Sequence, residues 1–306
     1  MIIWDIKMTD NKDNEWQNKN YSSITRRLQW LADEKDGILY NEKLSNHIRI
    51  DKNGDMIIMR FLDMNMNSKG TMAEMDLKSP LNLLIGSPLT MMLSLIWQRE
   101  PKNIHLVGFG AGRIPLVLHH YFPALTIEST EIDPIVPELA EKYFGLQFDS
   151  RQKVVIEDGR EYLTKRLGEH LYNIIMIDAF PVNDYMPYHL STIEFYNVCK
   201  KNLFIDGVLA INVVESDPLY LQRINTLKNC FKNVYMSVHK KGKVAFGTDA
   251  DYLTDEEIIK RIKEIQKQYP FILPLLPTGY LKPLSEYFDY LAQFGNSIAI
   301  LQDDFH

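Results

Sequence analysis

Ile104-His105-Leu106-Val107-Gly108-Phe109-Gly110-Ala111-Gly112-Arg113 is the stretch that decides the fold. A short apolar run, the pattern of a buried strand, ends in glycines at every second position, and Ile114–His120 continues with helical spacing. Glycines let a backbone come close to a ligand, and the N-terminus of the following helix offers free N–H donors. The plain alternative is a glycine turn that serves only tight strand–helix packing.

Toward the C-terminus the same unit repeats. Thr126–Glu131 reads as a second strand. Asp133 can cap a helix with Pro134 at its first position, and that helix turns Ile135, Leu139 and Phe144 inward. Lys153–Glu157 is a third strand and Gly159–Leu167 a helix. Tyr172–Asp178 is a fourth strand, apolar through Ile174–Ile177 as a strand buried on both faces should be. Ser191-x-x-Glu194 is a capping box opening a helix to Asn202, and Asp206-Gly207 turns into a fifth strand, Val208–Val213. This alternation predicts an α/β domain with a parallel, doubly wound sheet and right-handed crossovers. Ligands of such sheets sit at the carboxyl ends of the strands.

Toward the N-terminus the period changes. Ile38–Asn41, His47–Asp51 and Met56–Leu62 read as short strands, with Asn53-Gly54 as a hairpin turn, so a small antiparallel β unit comes first. Before it, Thr9–Asn20 is polar and reads as a loose arm, and Ile24–Glu34 as a short helix. The expected division is an arm and helix at 1–36, a small β domain at 37–78 and the α/β domain at 79–306. Beyond residue 215 the pattern predicts a helix over Pro218–Lys228, strands at Val234–Val238 and Val244–Gly247, an amphipathic helix at Asp255–Gln268, and an irregular Pro270–Pro283.

Composition narrows the function. The 306 residues are 45% apolar and 24% charged with a net charge of −6, ordinary for a globular chain and enough for a core without disulfides. No basic stripe of the kind nucleic-acid binding needs is present, and Lys240-Lys241-Gly242-Lys243 reads as a solvated turn. An acidic balance suits a cationic substrate such as an amine. Cys199 and Cys230 form no ligand pattern, and no His/Cys/carboxylate cluster has metal spacing, so no metal is expected. There is no basic region followed by an apolar stretch at the start, and Ser79–Trp97, broken by Asn82, Gly86 and Pro88, reads as a buried interrupted helix and not as a membrane span. A cytoplasmic protein is expected.

The strand ends hold the chemistry. After the first strand come Gly108, Gly110 and Gly112. After the second comes Glu131, whose carboxylate suits the two hydroxyls of a ribose. After the third come Asp158 and Gly159, suited to an adenine edge, with Asp158 as a simple helix cap the alternative. After the fourth comes Asp178, ending an apolar run where burial raises a carboxyl pKa and makes a useful base, with Phe180 beside it. Each is ordinary alone. Together, at successive strand ends, they are hard to explain as packing.

At these residues the chain resembles the spermidine synthase family, the polyamine aminopropyltransferases, within the class I methyltransferase fold. The resemblance runs from about Ile38 to Gly247 and is densest in Val107–Arg113, Thr130–Asp133, Tyr143–Gly145, Glu157–Leu163 and Ile177–Tyr196. It implies a class I methyltransferase-like sheet after a small antiparallel β domain. It also implies S-adenosylmethionine or its decarboxylated form as the donor, with Gly108, Gly110 and Gly112 as the nucleoside loop. Glu131 would hold the ribose, Asp158 and Gly159 the adenine, and Asp178 would stand at the reacting centre.

The departures are specific. Ala111 stands where the family's loop carries an acid that helps hold the aminopropyl amine. Pro181 stands near the place of a second acid after the fourth strand, and Pro80-Leu81-Asn82-Leu83 replaces an expected Tyr-His-Glu cluster. Asp184, Tyr185 and His189, with Phe180, are the candidates for the acceptor pocket, although His189 adjoins a helix start and fits a structural role too. Losing the loop acid eases binding of a carboxylate, so methyl transfer from the ordinary donor is the alternative to aminopropyl transfer to an amine, which the resemblance favours slightly. A non-catalytic nucleoside-binding scaffold is a third reading. A dinucleotide dehydrogenase fits worse, because Arg113 occupies the last place of G-x-G-x-x-G/A and Asp158 and Asp178 would have no role. No membrane or nucleic-acid partner is expected, and Pro270–Leu284 is apolar enough to cover a second copy in a homodimer.

Overall fold

The computed structural model describes residues 12–41, 47–62, 68–84, 86–169, 171–181, 185–237, 243–269, 281–284 and 298–303. It opens with α1 (Lys12–Asp33), a helix that takes in most of the stretch expected to be a loose arm. The polar composition hid one docking face. Ile24, Leu28 and Leu31 are buried on it, Trp16 meets His119 edge-on at 5.4 Å, and Asn20 Nδ2 donates to His120 Nδ1 at 3.3 Å. These positions fall three or four apart, so they share one side of the helix.

Four antiparallel strands follow in simple order: β1 (Gly37–Asn41), β2 (Ile48–Asn53), β3 (Met56–Leu62) and β4 (Ser68–Asp76). Ile48, Ile50, Ile57, Met59 and Met75 alternate inward and join the main core, which fixes the register. β4 carries no strong strand pattern of its own. Its pairing with β3 makes it a strand. Asp36 Oδ1 accepts from Gly54 N at the β2–β3 turn at 2.9 Å, where Gly54 has φ +57°.

Next come α2 (Ser87–Met91) and a 3₁₀ turn at Met92–Ile96, both buried, as the interrupted apolar segment predicts. The α/β unit then runs β5 (Asn103–Val107), α3 (Arg113–Tyr121), β6 (Thr126–Glu131), α4 (Ile135–Phe144), β7 (Gln152–Ile156), α5 (Gly159–Lys165), β8 (Tyr172–Ile177), α6 (Ile193–Lys201) and β9 (Leu203–Val213). It ends with α7 (Tyr220–Cys230), β10 (Asn233–Ser237), β11 (Lys243–Thr248), α8 (Asp255–Gln268) and β12 (Leu281–Pro283). The eight-stranded sheet has the order β12-β10-β11-β9-β8-β5-β6-β7. The run from β9 to β7 is parallel, and β11, β10 and β12 are antiparallel. From β5 the chain runs to one side through β6 and β7 and then crosses back to β8 on the other side of β5, and at such a switch point a crevice opens above the strand ends.

Three local expectations are corrected. Thr192, not Ser191, caps α6, and its hydroxyl accepts from Phe195 N, while Ser191 Oγ donates to Tyr188 O. The fifth parallel strand starts at Leu203 and absorbs Asp206-Gly207 as an irregularity between the pairs Tyr172–Leu203 and Ile174–Val208. Asp133 Oδ1 accepts from Ile135 N at 3.1 Å, so it caps α4 from just outside, with Pro134 in the cap position.

α1 is anchored on α4. Gly145 ends α4 at φ +71°, and a side chain there would meet Leu28 and Ile24 at 3.0–3.2 Å. Arg27 donates through Nη2 at 2.7 Å and Nε at 3.1 Å to Gly145 O, placing a cation on the negative end of the helix. Among the described residues no helix is long and apolar enough to cross a membrane.

Candidate active site

A cavity of ≈ 840 Å³ opens at the carboxyl ends of β5, β6, β7 and β8, roofed in part by β4 and the segment before α2. Its size lies within the ordinary range of small-molecule sites. Gly108, Gly110, Glu131, Asp158, Gly159, Asp178, Phe180 and His189 all line it. Gly112 and Tyr185 do not, and Asp184 lies outside the described residues.

The glycines differ in what they do. A side chain on Gly108, at φ +89°, would meet the Asp178 carbonyl oxygen at 2.4 Å, so this glycine lets β5 and β8 end side by side. Gly112, at φ +65°, precedes α3, and a side chain there would meet Leu146 at 2.5 Å and Phe109 at 2.9 Å. A side chain on Gly159 would meet Val107 at 2.5 Å and Thr130 Oγ1 at 2.8 Å, so this glycine keeps α5 close to the sheet. Gly110 alone of the four, at φ +55°, has nothing within 4 Å of where a side chain would project. Of the three glycines expected to form the nucleoside loop, Gly110 leaves open space in the cavity, while Gly112 packs against Leu146 and Phe109.

Glu131 ends β6 and ties two loops together. Its Oε1 accepts from Ile132 N at 2.8 Å and Asp133 N at 3.1 Å, and its Oε2 accepts from Phe109 N, inside the glycine turn, at 3.2 Å. Burial raises its carboxyl pKa, and the three backbone donors oppose that rise without cancelling it. With two lone pairs on each oxygen, one on Oε2 remains for a ligand hydroxyl.

Asp158 caps α5, as its plain reading held. Oδ1 accepts from Arg160 N at 2.9 Å and Glu161 N at 3.0 Å, and Oδ2 accepts from His189 Nε2 at 2.9 Å. The His189 hydrogen bond, followed by the backbone donors, holds its carboxyl below the usual range despite partial burial. One lone pair on Oδ2 is left for an exocyclic amine.

Asp178 follows β8 with its backbone N–H donating to Val107 O at 2.9 Å. Its carboxylate faces the cavity, where desolvation raises its pKa and one hydrogen bond, from Asn212 Nδ2 at 2.8 Å, partly offsets that. Asn212 was missed by sequence reasoning. The one signal was an amide inside the apolar run of β9.

A clamp behind His189 was also missed. Arg160 Nη1 donates to His189 O at 2.8 Å and to Thr192 Oγ1 at 3.1 Å, and the same guanidinium pairs with Asp303. Residues 298–303 lie along this corner, with Leu301 O accepting from Ile193 N at 2.8 Å and Gln302 O accepting from Tyr188 OH at 3.0 Å. Contacts more than a hundred residues apart leave no local signature.

Charge is uneven around the cavity. Among the described residues six acids line it, Glu74, Glu131, Asp133, Glu157, Asp158 and Asp178, against a single lysine or arginine, Arg113. Among the described residues no group of three or more His, Cys, Asp or Glu side chains is placed to hold a metal ion.

No protein-family model matches the chain. A polyamine aminopropyltransferase of Vibrio vulnificus is 34% identical over 146 residues, which is 47% of this chain and 48% of that protein. An eEF1A lysine and N-terminal methyltransferase of Mus musculus is 35% identical over 125 residues, 38% of this chain and 18% of that protein. The chain thus spans about half the length of the first of these relatives and a smaller share of the second. Among solved structures, a probable spermidine synthase from Corynebacterium glutamicum superposes with TM-score 0.69 at 14% identity, over 89% of this chain and 98% of that one. Human methyltransferase-like protein 13, solved in complex with SAH, gives TM-score 0.54 at 25% identity, over 63% of this chain and 94% of that one. The fold is spermidine-synthase-like, of the class I methyltransferase type.

Proposed function

We propose that this chain transfers an alkyl group from a sulfonium nucleoside, S-adenosylmethionine or its decarboxylated form, to an amine. The observation that carries the reading is the convergence of Gly110, Glu131, Asp158 and Asp178 on one cavity. The residues fit the donor. Gly110 leaves room against the loop, Glu131 Oε2 keeps a lone pair for a ribose hydroxyl, and Asp158 Oδ2 keeps one for the adenine amino group. Six lining acids favour a cationic sulfonium and a cationic amine over neutral or anionic ligands. The relatives' names support the same class of chemistry.

The sulfonium supplies an activated carbon–sulfur bond when bound. The protein then has to hold an amine in line with that bond and take its proton. Asp178 is the base. Its pKa is raised by desolvation, which brings it nearer the operating pH, and Asn212 fixes the carboxylate plane. Phe180 and His189 line the remaining wall, where an acceptor would sit. Between an aminopropyl and a methyl group, the deciding quantity is the charge at the far end of the donor.

Calorimetric titration with methylthioadenosine and with S-adenosylhomocysteine tests the reading. Saturable binding of at least one, at one site per chain, is expected. A chain that binds neither refutes it.

A further inference from the structure

Arg113 is the first residue of α3 and is 5% exposed. Its Nη2 donates to Asn82 O at 3.0 Å. Its Nε and Nη1 are buried and donate to nothing among the described residues. No carboxylate among those residues pairs with it, although six line the same cavity. Burial lowers its pKa to about 10, so it keeps its proton at neutral pH. The charge also stands in the first turn of α3, where the helix dipole is itself positive and no acidic residue offsets it. A buried charge with unfilled donors is among the costliest features a fold can hold. Ala111, two residues before it, is buried, lines the same cavity and brings no negative charge to it.

We infer that Arg113 is a specificity residue that selects a donor bearing a carboxylate, S-adenosylmethionine, over its decarboxylated counterpart. The inference rests on the nucleoside reading of the cavity and deepens it. The amino-acid end of a carboxylated donor supplies the anion that Arg113 and the start of α3 lack. A decarboxylated donor ends in an ammonium alone and meets the guanidinium as a like charge. A carboxylated donor cannot yield an aminopropyl group, and of the groups it can release the methyl carbon is the least hindered to attack, so the reaction this favours is methyl transfer. There the amine nitrogen bonds the methyl carbon, the carbon–sulfur electron pair stays on sulfur as a neutral thioether, and the amine proton passes to Asp178.

Calorimetry on the full chain decides it, with S-adenosylhomocysteine, its decarboxylated analogue, and methylthioadenosine as a ligand lacking the amino-acid end. The wild-type chain is expected to bind the carboxylated ligand tighter by on the order of tenfold or more, the effect of one charge-assisted contact. Arg113→Met is expected to bring the two ligands within about twofold and leave methylthioadenosine binding unchanged. Equal binding by the wild type, or a preference that survives Arg113→Met, overturns the inference and leaves the nucleoside reading standing. No binding of any ligand by the wild type removes both. If Arg113→Met does not fold, the wild-type preference decides alone, and Arg113→Lys, which keeps the charge, is expected to retain it.

Discussion

Glu131→Gln separates a ribose ligand from a loop stitch. The carboxylate accepts three backbone N–H groups, two on Oε1 and one on Oε2. An amide has one oxygen. Turned toward Ile132 and Asp133, it keeps two bonds and presents NH₂ to Phe109 N, a donor facing a donor at what was 3.2 Å. Phe109 is buried, and its N–H loses its acceptor. Leaving it unpaired costs about 1–3 kcal/mol. Against that, the amide carries no charge to desolvate, and the raised pKa of Glu131 shows that this charge is costly where it is. The net fall in stability should therefore lie at the lower end, about 1 kcal/mol. Nucleoside binding should suffer more. The lone pair on Oε2 is lost, and the amide nitrogen faces the ribose hydroxyl as a second donor. Loss of a charged acceptor is worth about 1.5–3 kcal/mol, roughly a 10- to 150-fold weaker dissociation constant. Urea denaturation and calorimetry with methylthioadenosine measure the two effects. Affinity within twofold of wild type, with the stability loss present, would show that Glu131 only holds the loops together.

Asp178→Asn should reduce the transfer rate by about 10²–10⁴-fold, the scale of a positioned base, and leave methylthioadenosine affinity within a few-fold; full turnover in stopped-time assays would remove Asp178 from the chemistry. Asn212→Leu takes away the one hydrogen bond that lowers the Asp178 pKa, so the acidic limb of the rate–pH profile should move to higher pH, and an unmoved limb refutes the pairing. Gly108→Ala sets a side chain 2.4 Å from the Asp178 carbonyl at φ +89°, and thermal melting should show a loss of several degrees. Acid should destabilise the chain in part through a buried imidazole. Burial, then the neighbouring His119, lowers the His120 pKa from 6.5 to about 4. The folded state therefore binds fewer protons than the unfolded state between those values, and stability falls as pH drops through that window, by roughly 3 kcal/mol for this group. Urea midpoints at pH 7 and 4.5 check this, and a His120→Gln variant should lose part of the dependence.

The sheet was legible because its signals are local. Apolar runs at β5 and β8, and glycine or acid turns after them, are set by neighbours within a few residues. α1 was legible only in its second half, since Trp16 and Asn20 owe their helical state to His119 and His120 on α3, a hundred residues away. The site divides in the same way. The strand-end acids could be named from order alone, but not what they bind: Asp158 is spent mostly on α5, and Glu131 mostly on two loops. The glycine motif proves to be a signature of the fold before it is one of function, because Gly108, Gly112 and Gly159 are required by packing whatever the cavity holds. Ala111, Arg113 and Asn212 line the same cavity with no such packing constraint on them. Of these, Arg113 is the one whose cost to the fold is left uncompensated within it. A buried charge that the described residues leave without a counter-ion, with two of its donors unfilled, is where specificity should be sought.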